Sequence, residues 1–122
     1  MVVLPALNEE DGIAKTLEEL SQALKEYDFQ TLVVDGHSTD RTVEMAKRHG
    51  ATVVYQMRSG YGDALYTGFL YALKYLNPTI FLILDADGSY DAHDAPKLID
   101  QIVRGEAEYV TGRRLPDKDA MN

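Results

Sequence analysis

The sequence contains no cysteine among its 122 residues. This absence excludes disulfide bonds, thiolate metal sites and cysteine nucleophiles, and it is compatible with a reducing compartment. An excess of positive charge is also missing, since 12 Lys and Arg stand against 20 Asp and Glu, for a formal net charge of −8. Such a chain offers no basic surface for nucleic acid or for an anionic membrane. A negatively charged ligand therefore needs a metal ion or a few local arginines.

Long apolar runs are absent as well. No stretch reaches the roughly 18 consecutive apolar residues of a membrane span, and the N-terminus lacks the basic-then-apolar pattern of a signal peptide. The first residues, Met1 to Leu4, instead have the pattern of a strand. We expect a cytoplasmic protein, and any peripheral contact with the cytoplasmic face of a membrane is expected to come through a region beyond Asn122.

Short β-branched runs alternate with segments of helical period, a pattern typical of βα units around a mainly parallel sheet with helices on both faces. The expected strands cover residues 2–4, 31–34, 51–55, 79–84 and 109–111. The expected helices follow Asn8, pass through Val43 to Gly50, run from Asp63 to Leu76, and follow a capping Asp94 up to Gly105. The length fits one domain or a fragment of one.

Polar segments that contain glycine or acidic residues follow four of the expected strands. Their sequences are PALNEE, DGHSTD, DADGS and TGRR. In open α/β sheets, ligands bind beyond the carboxyl ends of the strands, where such loops converge. The sequence therefore predicts a binding site at this edge of the sheet.

Asp85 and Asp87 are the most specific candidates for a binding site in these loops. Alternate residues of an extended chain point to the same side, so both carboxylates can face one ligand while Ala86 turns away. Hard oxygen ligands suit Mg²⁺ or Mn²⁺, which binds through one or two carboxylates together with substrate phosphates. The alternative is a simple turn after a buried strand. The apolar run of residues 80–84 leading straight into the pair favours the metal site.

Asp35 ends the second expected strand, where its carboxylate could accept hydrogen bonds from a ribose or a base. The alternative is turn and capping chemistry, which we assign to Ser38, Thr39 and Asp40. Because Asp35 precedes these three residues, we expect it to be left for a ligand.

Two further segments have a structural and a functional interpretation. Asn8, Glu9 and Glu10 fit a helix N-cap followed by acidic residues, and a helix start beside the site would also expose backbone N–H groups. Arg113 and Arg114 follow the fifth expected strand, where one guanidinium could bind a phosphate or simply be surface charge.

Other common site patterns are missing. The three histidines, His37, His49 and His93, show no metal-binding spacing. The glycines at Gly60 and Gly62 match neither the phosphate-binding loop nor the dinucleotide fingerprint.

The ordered set of motifs is nevertheless recognisable. It comprises LPALNEE, VVDGHSTDRT, RSGYGDALYTGF, LDADGSYD and TGRR, each after or beside an expected strand. The chain resembles family-2 glycosyltransferases of the GT-A fold, specifically the dolichol-phosphate mannose synthase and polyprenyl-phosphate glycosyltransferase group. The resemblance covers nearly the whole chain and implies a Rossmann-like nucleotide-diphospho-sugar transferase fold.

The resemblance also implies a set of donor-binding residues. They are Pro5, Leu7, Glu9, Val34, Asp35, Asp85, Ala86, Asp87 and Arg114. The first three would line the nucleotide pocket, and Val34 and Asp35 would contact the base or ribose. Asp85 and Asp87 match the family's Asp-x-Asp motif, which binds the diphosphate with a Mg²⁺ or Mn²⁺ ion. Arg114 matches an arginine that binds the diphosphate or the acceptor phosphate.

The sequence departs from mannose synthases at two positions. Ser89 stands where they usually carry a metal-binding Gln, and Tyr61 replaces a common Lys, so a mannose donor is weakly supported. The family's later, acceptor-side segments have no counterpart here. We therefore expect residues 1–122 to form one nucleotide-sugar-binding domain from a longer transferase.

The activity implied is transfer of a hexose from a UDP or GDP sugar to an acceptor such as a polyprenyl or dolichyl phosphate, with inversion and metal assistance. Two alternatives stay open. One is a nucleotide-sugar-binding module without transfer activity. The other is a sugar-phosphate nucleotidyltransferase, although that class would carry a basic, glycine-rich loop after the first strand.

Overall fold

The computed structural model of the chain describes residues 1–76, 80–89 and 91–103. Its strands and helices, in chain order, are β1 (Val2–Ala6), α1 (Glu10–Ala23), β2 (Thr31–Asp35), α2 (Thr42–Arg48), β3 (Thr52–Tyr55), α3 (Tyr61–Tyr71), β4 (Leu82–Ile83) and α4 (Ala95–Val103). A π-helical segment, Ala72–Leu76, continues α3, and a 3₁₀ turn, Ala92–Asp94, precedes α4. The alternation of strands and helices confirms the expected α/β class.

The four strands form one parallel sheet in the order β3-β2-β1-β4. Val2 of β1 lies beside Thr31 of β2 on one side and Leu82 of β4 on the other. Because all strands run the same way, their carboxyl ends meet at one edge, as the sequence predicted.

Helices cover both faces of the sheet, and successive residues of a strand point to opposite faces. On one face, Val2 and Leu4 pack with α1, α2 and α4. On the other face, Val3 packs with α3, whose Gly68 leaves so little room that an added methyl group would lie 3.0 Å from a methyl carbon of Val3. The apolar strands are therefore buried on both sides, which explains their lack of a polar face.

Several element boundaries differ from the expected ones. Helix α3 begins at Tyr61, so Asp63 lies inside its first turn, where it accepts the N–H of Arg58 at 3.1 Å. Strand β4 is only two residues long. Asp91 caps the 3₁₀ turn before α4, where it accepts the N–H of His93 at 3.0 Å, and Asp94 is the last residue of that turn, directly before α4. The capping role expected of Asp94 stays a prediction. The expected fifth strand lies outside the described residues.

None of the helices in the described ranges has the length and apolar composition needed to cross a bilayer.

Candidate functional site

The Asp85–Asp87 segment follows β4 at the carboxyl edge of the sheet. Ala86 is buried, Asp85 is half-buried and Asp87 is exposed, in keeping with the predicted alternation. The Ser89 N–H donates to Oδ1 of Asp87 at 2.9 Å. Hydrogen bonds from the Ser89 side chain and main chain hold the pKa of Asp87 below its usual value. Asp87 is therefore an ionised carboxylate at neutral pH, ready to bind a cation.

Glu9 lies within electrostatic range of this pair. Burial raises the pKa of Glu9, and repulsion from Asp87, Asp40 and Asp85 raises it further. Repulsion of this kind means that the loops after β1, β2 and β4 bring these carboxylates toward one another. Carboxylate oxygens of this kind fit a hard divalent cation such as Mg²⁺ or Mn²⁺.

Helix α1 packs against the loop of residues 85–88, which we call the acidic loop. A methyl group at Gly12 would lie 2.5 Å from the carbonyl oxygen of Ala86, so the loop packs directly on the helix backbone. Lys15 Nζ donates to the carbonyl oxygen of Gly88 at 2.9 Å, and Gly88 has a left-handed φ of 79°. Sequence reasoning missed both supports, although an isolated glycine inside a helical pattern is a signal of close backbone approach.

A second polar cluster anchors the segment that follows. One carboxylate oxygen each of Glu19 and Asp91 and one ring nitrogen of His93 lie within 4.8 Å of one another. Glu19 accepts the N–H of Ala92 at 3.0 Å, and Oδ1 of Asp91 accepts the N–H of His93 at 3.0 Å. These atoms are thus engaged in holding the 3₁₀ turn on α1.

A cavity of about 240 Å³ opens beside the ends of β1, β2 and β3. It is lined by Pro5, Ala6, Leu7, Gly36, Gln56, Ser59, Gly60, Tyr61 and Ala64. Two of the predicted nucleotide-pocket residues, Pro5 and Leu7, are therefore brought together in one cavity. Gln56 and Gly36 were not among the predicted residues.

The expectation that Asp35 is left free of the loop is wrong. Its side chain is 1% exposed. One oxygen accepts the N–H groups of His37 and Ser38 at 2.9 and 3.0 Å, and the other accepts the Ser38 hydroxyl at 2.6 Å. Asp35 shapes the loop after β2 through these three bonds, and a direct ligand contact by Asp35 stays a prediction.

The N-capping role predicted for Asn8 is also wrong. Asn8 adopts a left-handed φ of 53°, and its Oδ1 accepts the N–H of Thr39 at 2.8 Å. Two of the N–H groups at the start of the helix are already bound, because Glu9 N–H donates to Thr42 Oγ1 at 2.8 Å and Glu10 N–H to Asp40 Oδ2 at 3.2 Å. The loops after β1 and β2 therefore cap each other.

The remaining predicted residues are less accessible. Val34 is 0% exposed and packs in the core beneath α3, and Ala86 is buried against α1. Arg114 lies outside the described residues.

Comparison with known proteins gives a consistent result. The sequence profile of glycosyl transferase family 2 matches residues 1–121. An uncharacterized glycosyltransferase of Mycobacterium tuberculosis is 45% identical over 115 residues, which cover 94% of this chain and 48% of the relative. A dolichol-phosphate mannosyltransferase of Pyrococcus furiosus is 27% identical over 93% of this chain and 34% of its own length.

Among solved structures, the fold is similar to that of glucosyl-3-phosphoglycerate synthase from Mycobacterium tuberculosis in complex with Mn²⁺, UDP and phosphoglyceric acid. The TM-score is 0.72 at 31% identity, with coverage of 86% of this chain and 39% of that one. A further structure of the same enzyme contains Mg²⁺ and UDP. The chain spans about half the length of the curated relative from Mycobacterium tuberculosis.

Proposed function

This chain belongs to glycosyl transferase family 2, and on that premise we propose that it binds a nucleoside-diphosphate hexose for transfer to an acceptor. The observation that carries the proposal is that Asp85 and Asp87 follow β4 at the carboxyl edge of the sheet where the cavity lined by Pro5 and Leu7 opens. Together with Glu9, whose pKa they raise, they form an acidic group. A base in the cavity would place its diphosphate toward the acidic group, along the carboxyl edge of the sheet.

We propose UDP as the nucleotide, because the structural relative at 31% identity was solved with UDP. Leu7 is 55% exposed and Tyr61 lies in the same cavity wall. Their apolar surfaces can cover a base that the main chain of the loops orients.

Asp85 and Asp87 are the residues that would hold Mg²⁺ or Mn²⁺. When bound, such an ion stabilises the diphosphate as a leaving group. Asp87 is kept ionised by Ser89, so the carboxylate needs no proton loss on binding. Lys15 holds the loop through Gly88, which limits movement of the acidic pair.

The transfer proposed is an inverting substitution. The bond between the anomeric carbon and the diphosphate oxygen breaks as an acceptor oxygen forms a bond from the opposite face, and the nucleoside diphosphate leaves with the electron pair. A phosphate acceptor is already anionic, so positioning and charge stabilisation carry the rate with little general-base help.

For the acceptor we propose a polyprenyl or dolichyl phosphate, supported by the motif resemblance and by the dolichol-phosphate mannosyltransferase relative. Transfer would then take place at the cytoplasmic face of a membrane. Phosphoglyceric acid is the competing acceptor, because it is bound in the structural relative.

A second candidate function is nucleotide-sugar binding without transfer. It is supported by the acidic group and the cavity, which account for donor binding alone.

Calorimetric titration of UDP, UDP-glucose and GDP, with and without Mn²⁺, tests the donor site. We expect UDP binding that Mn²⁺ strengthens and that, at saturating Mn²⁺, weakens at least about fivefold in Asp87→Asn. Asp28→Asn is the matched control, since Asp28 is exposed in the segment between α1 and β2, at the opposite edge of the sheet. UDP binding that ignores both Mn²⁺ and Asp87→Asn would refute the proposed site.

Release of UDP from UDP-glucose tests transfer. Release on adding a polyprenyl phosphate supports the lipid acceptor, whereas release only with phosphoglyceric acid would replace it. Donor binding with no release for either acceptor would favour the binding module.

A further inference from the structure

Gln56 is the first residue after β3, at a point where the loops around the cavity meet. We propose that Gln56 is a positioning residue, which holds the turn of residues 58–60 against the loop after β2 and so sets the shape of the nucleotide cavity. This inference rests on the proposed function, because it assigns Gln56 to a nucleotide-binding site.

The main chain of Gln56 binds both the last residue of β2 and the loop that follows it. Its N–H donates to the carbonyl oxygen of Asp35 at 3.0 Å. Its own carbonyl oxygen accepts a hydrogen bond from His37 Nε2 at 2.8 Å, in the tautomer that carries the proton on this nitrogen. His37 has a left-handed φ of 68°, and its ring stacks on Tyr55 with centroids 6.2 Å apart. The loop after β2 is thus fixed to the end of β3.

The side chain of Gln56 binds the next loop. Its Nε2 donates to the carbonyl oxygens of Arg58 at 2.6 Å and Gly60 at 3.1 Å. Two carbonyl acceptors determine which end of the amide is the nitrogen, so the orientation of the side chain is set. Gly60 has a φ of 103°, and its carbonyl oxygen also accepts the N–H of Ala64 in α3. One amide therefore controls the turn and the start of α3.

The other end of the amide faces Gly36. A methyl group at Gly36 would lie 3.1 Å from Oε1 of Gln56, which is tighter than an ordinary contact. The side chain, only 6% exposed, fits between Gly36 and Gly60, which are both cavity-lining residues. Loss of the amide would let both walls move, whereas the Asp85–Asp87 loop is held separately by α1.

Because the two parts of the site are held separately, the sharpest test compares the affinity for nucleotide with the affinity for Mn²⁺. In the chain of residues 1–122 with Gln56→Met, we expect UDP and GDP to bind about tenfold more weakly at saturating Mn²⁺, because two hydrogen bonds of the largely buried amide are lost. The affinity for Mn²⁺ alone, measured by electron paramagnetic resonance without nucleotide, should stay within about twofold of the unaltered chain. A general loss of structure would lower both affinities together.

Two further variants keep the test decisive. Gly36→Ala pushes on Oε1 from the other side and should weaken UDP binding about threefold, again without changing Mn²⁺ affinity. Gln101→Met, on the exposed surface of α4, should change neither affinity. Unchanged nucleotide affinity in Gln56→Met or in Gly36→Ala, or an equal loss of Mn²⁺ affinity, would overturn the positioning role. If the unaltered chain binds neither UDP nor GDP, the proposed function fails and this inference fails with it.

Discussion

Burial and three neighbouring carboxylates all raise the pKa of Glu9. The pKa of Asp40 is lowered, chiefly by the hydroxyl of Thr42, and that of Asp87 is lowered by Ser89. These two neighbours therefore stay ionised, and Glu9 takes up a proton before either of them as the pH falls. A bound divalent cation would offset the repulsive part of this shift and so lower the pKa of Glu9.

Glu9→Gln tests this distribution of charge. A raised pKa means that the native state binds the proton more tightly than the unfolded state, so stability falls as the pH rises through the pKa of Glu9. We expect Glu9→Gln to raise the Tm by about 1–4 °C near pH 7.5, and the difference to vanish near pH 4. Differential scanning calorimetry measures both.

Saturating Mn²⁺ should remove or reverse this gain, because the ion neutralises the repulsion. The matched control is Glu26→Gln, an exposed residue after α1. A gain in Tm that is equal at both pH values would contradict the electrostatic explanation.

Single-residue roles were predicted unevenly from the sequence. The Asp85–Ala86–Asp87 alternation follows from strand geometry and is present in the structure. The actual partners of Asp35 and Asn8 could not be predicted in the same way. Asn8 binds residues more than 30 positions along the chain, and local capping rules contain no information about such distant partners.

Between elements, the starts of α1 and α2 are joined by one buried hydroxyl. Thr42 Oγ1 accepts the N–H of Glu9 and donates to Asp40 Oδ1. Thr16, on α1, is equally buried, but its hydroxyl has no hydrogen-bond partner within the part of the chain that the structure describes. The two threonines therefore form a matched pair.

The substitution of Val for each threonine keeps the shape and removes the hydroxyl. Thr42→Val should lower the free energy of unfolding by about 1–3 kcal/mol, because it leaves the Glu9 N–H unsatisfied. Thr16→Val should raise it by about 1 kcal/mol, because it removes a buried hydroxyl that lacks a partner. Urea denaturation measures both changes. A loss of stability in Thr16→Val would indicate a partner for its hydroxyl, such as a bound water.

The contact between α1 and the acidic loop gives a second prediction at this scale. Alanine is favoured over glycine inside a helix by about 1 kcal/mol. Gly12→Ala should nevertheless lower the free energy of unfolding by about 1–3 kcal/mol, because its methyl group would overlap Ala86 and Asp87. Since the displaced loop carries the acidic pair, the affinity for Mn²⁺ should fall about tenfold or more.

Gly62→Ala is the control for this substitution. Gly62 lies in the first turn of α3, and no described atom is within 4 Å of its added methyl position. It should leave Mn²⁺ affinity unchanged and keep or raise stability. Equal effects of the two substitutions would mean that the loop does not depend on close packing against Gly12.

Element types were better predicted than element ends. The spacing of Ile13, Leu17 and Leu20 predicted α1, and all three residues are buried. The start of α3 was missed because Gly60, with its left-handed backbone, and not an acidic side chain, precedes the helix. Strand β4 is shorter than its apolar run because only residues 82–83 pair with β1 in the parallel register.

For the whole molecule, the net charge of −8 opposes the binding of an anionic nucleoside diphosphate. The parallel sheet nevertheless brings an acidic group and an uncharged cavity to one edge. The class of fold could be predicted from the alternation of strands and helices, and the position of this edge from the polar loops that follow the strands. The cavity walls at Gln56 and Gly36 could not, because they depend on how β3 and α3 pack. A cation at the acidic group is the natural bridge between protein and diphosphate.

Such a bridge requires that Mn²⁺ and UDP strengthen each other's binding. By linkage, the factor by which Mn²⁺ raises the affinity for UDP equals the factor by which UDP raises the affinity for Mn²⁺, and we expect about 5- to 150-fold. Calorimetry in both orders of addition measures the two factors. In thermal unfolding, the two ligands together should raise the Tm by more than the sum of the shifts that each ligand gives alone. Asp87→Asn should abolish this excess while leaving the weak metal-independent binding of UDP unchanged. Additive shifts in the unaltered chain would mean that the metal and the diphosphate occupy independent sites, because a shared ion cannot bind both partners without coupling them.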